Sequence, residues 1–126
     1  MRVNMRLKQE CIRDVLLGLE EELDYRQSMD REELLSLDRL SSHSAEDSLY
    51  TVSKLREAGF LNVNYYLGGN FRIFGITYEG HQFLENIRDP EIWAKTKSAA
   101  GKVGGASIHV IGEIALSYVR QTLGLN

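Results

Sequence analysis

Two strand-like runs separated by Gly68-Gly69-Asn70 constrain this chain more than any other feature. Residues 60–67 and 71–76 are rich in aromatic and β-branched side chains, which suit a pleated, half-buried surface. The three residues between them tolerate positive φ, the geometry that folds one strand back on the next. An antiparallel hairpin is predicted, with Leu61, Val63, Tyr65 and Leu67 sharing a face.

Helices are predicted on both sides of the hairpin. Residues 7–23 carry Ile12, Val15, Leu16, Leu19 and Leu23 at helical spacing. Residues 24–30 are polar and unpatterned and are read as a loop. Asp30-Arg31-Glu32-Glu33 places acids at the positive end of a short helix, with Leu34, Leu35, Leu37 and Leu40 as apolar anchors. After a turn at residues 41–44, Ser44 and Asp47 resemble a capping box. The helix they open is predicted to run to Ala58 and stop at Gly59. Ala45, Leu49, Val52 and Leu55 fall on one face of it, and Asp47, Tyr50, Thr51 and Lys54 on the other.

Beyond the hairpin, Thr77 is predicted to cap a helix ending at Ile87. Asp89 and Pro90 open another as cap and first helical residue, anchored by Ile92 and Trp93. Gly101, Gly104 and Gly105 interrupt the chain. Residues 106–123 form a last helix with a broad apolar face: Ile108, Ile111, Ile114, Ala115, Tyr118 and Val119.

Helix, short helix, capped helix, hairpin, helix is the order of a winged helix. The expected fold class is α+β, mainly α: a winged helix-turn-helix with a β-hairpin wing plus extra C-terminal helices. Residues 1–88 are expected to form the winged-helix domain. Residues 89–126 are expected to form a C-terminal helical extension, packed on that domain or used for dimerisation. Two joints sharpen the reading. Leu55-Arg56-Glu57-Ala58-Gly59-Phe60-Leu61 resembles the helix-to-strand joint of winged-helix regulators. Ile76-Thr77-Tyr78-Glu79-Gly80-His81-Gln82-Phe83-Leu84 resembles the segment after their wing, where a Thr caps the next helix and a Gly three residues on lets it pack closely.

Nearly the whole chain resembles the YjcQ-like winged-helix proteins, a small family of bacterial and phage-encoded proteins of unknown function. The resemblance is carried by Cys11-Ile12-Arg13-Asp14-Val15-Leu16, by residues 50–61, by residues 77–89 and by Trp93-Ala94-Lys95-Thr96-Lys97 with the glycine-bearing C-terminal helix. It implies a winged-helix fold and a prophage or mobile-element setting, and it carries over no catalytic residues.

Charge separates the function classes only in part. A length of 126 residues suits a domain that folds without metal or disulfides. The net charge of −3 does not mark a nucleic-acid binder, because phosphate contacts need Lys and Arg. Basic residues gather at Arg2, Arg6, Lys8 and Arg13, and again at Lys95, Lys97 and Lys102, while acids dominate from Asp14 to Asp47. A DNA surface needs those basic groups on one face.

The N-terminus has basic residues but no following apolar run, so no signal peptide is expected, and no stretch suits a bilayer span. A cytoplasmic protein is expected. The single Cys11 lies among the apolar positions of the first helix and is expected to be a small buried hydrophobe. His43, His81 and His109 are scattered, with no metal-ligand spacing, so neither metal nor cofactor is expected. No phosphate-binding loop, nucleophile elbow or paired-carboxylate motif is present, and no enzyme is expected.

In a winged helix the third helix enters the major groove and the wing lies along the backbone. The expected DNA-binding residues are therefore Ser44, Tyr50, Thr51 and Lys54 on that helix, with His43 at its leading end, and Asn70 and Arg72 at the hairpin tip. Lys54 is the expected phosphate contact. Of Tyr65 and Tyr66, one is expected to face inward. Two function classes stand open: a phage-type regulator or accessory factor on double-stranded DNA, and a protein-interaction module built on the same fold. The C-terminal helix either folds over its own domain or makes a homodimer; its polar face lacks the basic belt of a membrane-surface helix.

Overall fold

The computed structural model describes residues 5–125; Arg2, one of the expected basic groups, lies outside the described residues. The protein is a mainly helical α+β structure with one small antiparallel sheet. Its elements are α1 (Gln9–Glu22), β1 (Met29–Asp30), α2 (Arg31–Leu35), a 3-10 turn at Asp38–Leu40, α3 (Ala45–Glu57), β2 (Leu61–Tyr65), β3 (Phe71–Ile76), α4 (Tyr78–Ile87), α5 (Pro90–Gly101) and α6 (Ile108–Thr122). Two compact units are present, Met1–His81 and Gln82–Asn126.

The first unit is organised around α1. Four members of its predicted stripe, Ile12, Val15, Leu16 and Leu19, are sealed from solvent and Cys11 joins them, while Leu23 is the C-cap and only partly buried. Leu34, Leu40, Val52, Leu55, Val63, Phe71 and Ile73 are buried in the same unit. Truncating one of the large members to Ala would cost about 2–5 kcal/mol. Burial pushes the Cys11 thiol up from its ordinary pKa, opposed by the Thr51 hydroxyl beside it.

The sheet holds one strand absent from the sequence reading. Residues 24–30 are not all loop: Met29 and Asp30 pair with Ile73 and Arg72, so the strand order is β1-β3-β2. A two-residue strand leaves no periodicity to detect. Asp30 also caps α2, its carboxylate accepting from Glu33 N while the Glu33 carboxylate accepts from Asp30 N.

The hairpin forms where the sequence places it. Gly68 and Gly69 have φ of +90° and +85°, and Tyr66 N donates to the Asn70 carbonyl across the turn. The expected common face is shorter than predicted. Leu61 and Val63 are buried, but Tyr65 is partly exposed and Leu67 stands fully exposed in the turn. Asn62 pairs with Gly75 and Val63 with Ile73, so Phe74 is bulged out and left exposed.

Both joints close as predicted. α3 ends in a Schellman motif: Phe60 N donates to Leu55 O, Gly59 N donates to Arg56 O, and Gly59 has φ +83°. Thr77 Oγ1 accepts from Gly80 N at 3.0 Å and donates to Gly59 O at 2.6 Å, binding the start of α4 to the end of α3.

In the second unit, Asp89 caps α5 by accepting from Glu91 N and Ile92 N, with Pro90 in the first turn. Ser107 caps α6 by accepting from Val110 N. Trp93, Thr96 and Ala100 of α5 and Ile108, Ile111 and Ala115 of α6 are buried.

Candidate nucleic-acid interface

The first turn of α3 is built by a side chain from α1's leading edge. Ser44 Oγ accepts from Asp47 N at 3.1 Å and so satisfies one orphan amide of the helix. The Asp47 carboxylate on the same turn bonds Lys8 Nζ at 2.6 Å. That ammonium holds Asp47 below its ordinary carboxylate pKa. The partnership joins residues 39 positions apart, and no local pattern in the sequence signals it.

On the outer side of α3, Lys54 Nζ lies 5.4 Å from the centroid of the Tyr50 ring and 3.1 Å from Glu57 Oε2. The Glu57 bond raises the Lys54 pKa above its ordinary value. An exposed i,i+3 ion pair of this kind contributes little to stability. The Lys54 ammonium is therefore only loosely tied to Glu57 and also lies over the Tyr50 ring.

Two expected contacts are corrected. Thr51 does not sit on the outer face. It is buried, and its hydroxyl donates to Asp47 O at 2.7 Å within α3. With Ser48, Val52 and Leu55 it forms the inward stripe, at spacings of three and four residues. His43 does not stand free at the leading end either: its Nε2 lies 2.8 Å from Asp14 Oδ2 and its side chain is mostly enclosed.

The hairpin brings the other expected residues to one end of the sheet. Asn70 Oδ1 accepts from Phe71 N at 2.8 Å, and from Arg31 N at 3.4 Å, so it organises the turn and ties it to α2. Arg72 is exposed and donates from Nη1 to Ser28 Oγ at 3.0 Å. Neither tyrosine is buried, against the expectation that one faces inward. Tyr65 stacks obliquely on Phe71 with centroids 5.3 Å apart, and partial burial raises its pKa. Tyr66 and Leu67 are exposed.

Arg56 is a residue the sequence reading passed over. Its guanidinium lies 5.5 Å from the Tyr65 centroid, and its Nε donates to Val63 O at 2.9 Å on the edge strand β2. It braces the hairpin against α3 and satisfies a carbonyl of a strand that has a neighbour on one side only. Its place in the last turn of α3, just before an aromatic-rich strand, was the available signal.

Three cations of this unit are held by acids of the protein itself. Lys8 pairs with Asp47, Arg39 with Glu21 and Lys54 with Glu57. The bidentate Arg39 guanidinium holds the Glu21 carboxyl below its ordinary range. Lys95, Lys97 and Lys102 belong to the second unit.

Among the described residues, no three His, Cys, Asp or Glu side chains gather as a metal site, and no helix is long and apolar enough to cross a membrane. No curated protein and no solved structure matches the chain. A family model matches residues 6–107, and its description reads Hypothetical protein (DUF2513).

Proposed function

The chain belongs to the DUF2513 family of hypothetical proteins, and we propose that it is a winged-helix protein that binds double-stranded DNA in the cytoplasm, as a regulator or accessory factor of the prophage type that the YjcQ-like resemblance implies. The observation that carries the reading is the succession α1, β1, α2, α3 and the β2–β3 hairpin inside one compact unit, with β3 held between β1 and β2. α3 is the reading helix and the hairpin is the wing. Lys54 and Arg72 meet phosphates, Ser44 and Tyr50 face base edges or sugar, and Asn70 shapes the wing tip. Lys8 supports the reading by neutralising Asp47 in the first turn of α3.

A titration of labelled random-sequence duplex at low salt tests it. Binding that falls steeply as salt rises is expected, because phosphate contacts release condensed counterions. No binding of any duplex at low salt ends the proposal.

One observation favours a second reading, a protein-interaction module without DNA binding. The hairpin exposes Tyr65, Tyr66 and Leu67 together, an aromatic and apolar tip flanked by the exposed Arg56 and Arg72. Capture of partners from lysate treated with nuclease separates the two: partners that persist support this module, and partners lost with the nucleic acid support DNA.

A further inference from the structure

The outward side of α6 is self-complementary. Ile108, Ile111 and Ala115 of this helix are buried, so the opposite side faces solvent. Along it lie Val110, Glu113, Leu116, Ser117, Arg120 and Leu123, all exposed. Glu113, Leu116, Ser117 and Arg120 line one shallow groove together with Gln121 and Leu125. The apolar members are open to water: Val110 is 42% exposed, Leu116 37% and Leu123 66%.

The charges on this stripe have a specific arrangement. Glu113 and Arg120 are seven residues apart, which is two helical turns and about 10 Å of rise. They lie on the same side but cannot reach each other within one chain, and no other described residue pairs with either. A two-fold axis passing between Leu116 and Ser117 changes this. It sets α6 against an antiparallel copy of itself. Glu113 then meets Arg120 of the second copy, and Arg120 meets Glu113 of the second copy. Val110 falls opposite Leu123 of the second copy, and the two Leu116 side chains meet near the axis. Every group on the stripe acquires a suitable partner from a single symmetry operation, as an isologous interface requires.

We propose that α6 docks on α6 of a second copy of this chain in that antiparallel register. A stable interface covers roughly 800 Å² per partner, more than a helix about 22 Å long presents along one stripe. The dimer is therefore reversible and weak, and sensitive to salt. The stripe lies wholly in the second unit, so the proposal stands whether or not the first unit binds DNA.

Sedimentation of the full chain without DNA, over a range of concentrations at low salt, tests it with charge reversals on exposed positions that the fold does not need. Wild type is expected to associate to dimers as concentration rises. E113R and R120E each replace two attractive contacts per dimer with two repulsive ones and should weaken association by about tenfold or more. The double variant E113R/R120E should restore it. An equimolar mixture of E113R and R120E should also associate, since one chain then carries two positive charges on the stripe and the other two negative. A wild type that stays monomeric at every concentration overturns the proposal. So does a dimer that either single reversal leaves intact, or one that the double variant fails to restore.

Discussion

Gly80 presses its bare α-carbon against the carbonyl of Phe60: a Cβ there would overlap that oxygen and come within 2.7 Å of Ile76 Cγ2. The oxygen cannot retreat freely, because it accepts from Thr77 N at 3.0 Å. Alanine normally favours a helix over glycine by about 1 kcal/mol. Here overpacking of about 1–3 kcal/mol outweighs that gain. Gly80→Ala should therefore lower the urea midpoint. Gly101, in the last position of α5, is a control with open space around it, and Gly101→Ala should leave stability unchanged or raise it. Equal behaviour of the two variants would remove the close approach as an explanation for the glycine.

Acid should weaken the first unit through Asp47. Its folded pKa is depressed by Lys8, so the stabilisation is complete above the ordinary carboxylate value near about pH 4 and is lost as pH falls through the depressed one. Lys8→Met should flatten this acid limb in a series of urea midpoints at falling pH. Glu21, depressed by Arg39, acts with the same sign, so part of the limb should survive in Lys8→Met and fall further on adding Arg39→Met. An acid limb identical in all three proteins would contradict the assignment.

Cys11 should be chemically silent in the native protein. It is fully buried, and burial raises its pKa, so the reactive thiolate is scarce at neutral pH. Modification by an aromatic disulfide reagent should be slow under native conditions and fast in denaturant. Rapid labelling of native protein would mean that α1 opens from α3 far more readily than a sealed core allows.

If phosphate contacts hold the DNA, Lys54→Ala and Arg72→Ala should each weaken duplex binding without regard to sequence. Each should also reduce the slope of log affinity against log salt by about 1. Thr51→Ala should instead lower stability, because Thr51 is buried and bonded to Asp47 O. A Thr51 variant that is fully stable yet impaired in binding would mean that this residue faces the duplex after all.

What the sequence made legible were the features written in local chemistry. The Gly68-Gly69 turn, the Gly59 stop and the Thr77, Asp89 and Asp30 caps each depend on residues within a few positions of one another. The stripe of α1 was readable because its members are apolar. The inward stripe of α3 is only partly legible because two of its members carry hydroxyls: polarity puts Thr51 on the outer face and gives Ser48 no place, although their spacing with Val52 and Leu55 is that of one helix face. β1 was too short to leave a pattern. The pairs that shape the candidate interface, Lys8 with Asp47 and His43 with Asp14, join segments 39 and 29 residues apart. Such pairings follow from how helices pack and leave no trace in the local sequence.

Amide chemical-shift mapping of the full chain on adding a short duplex at low salt tests the central proposal most directly. The account predicts changes concentrated at Ser44, Tyr50 and Lys54 along α3 and at Asn70 and Arg72 by the hairpin tip, shrinking as salt is raised. Changes confined to α6, or none anywhere while the duplex is in excess, would contradict it.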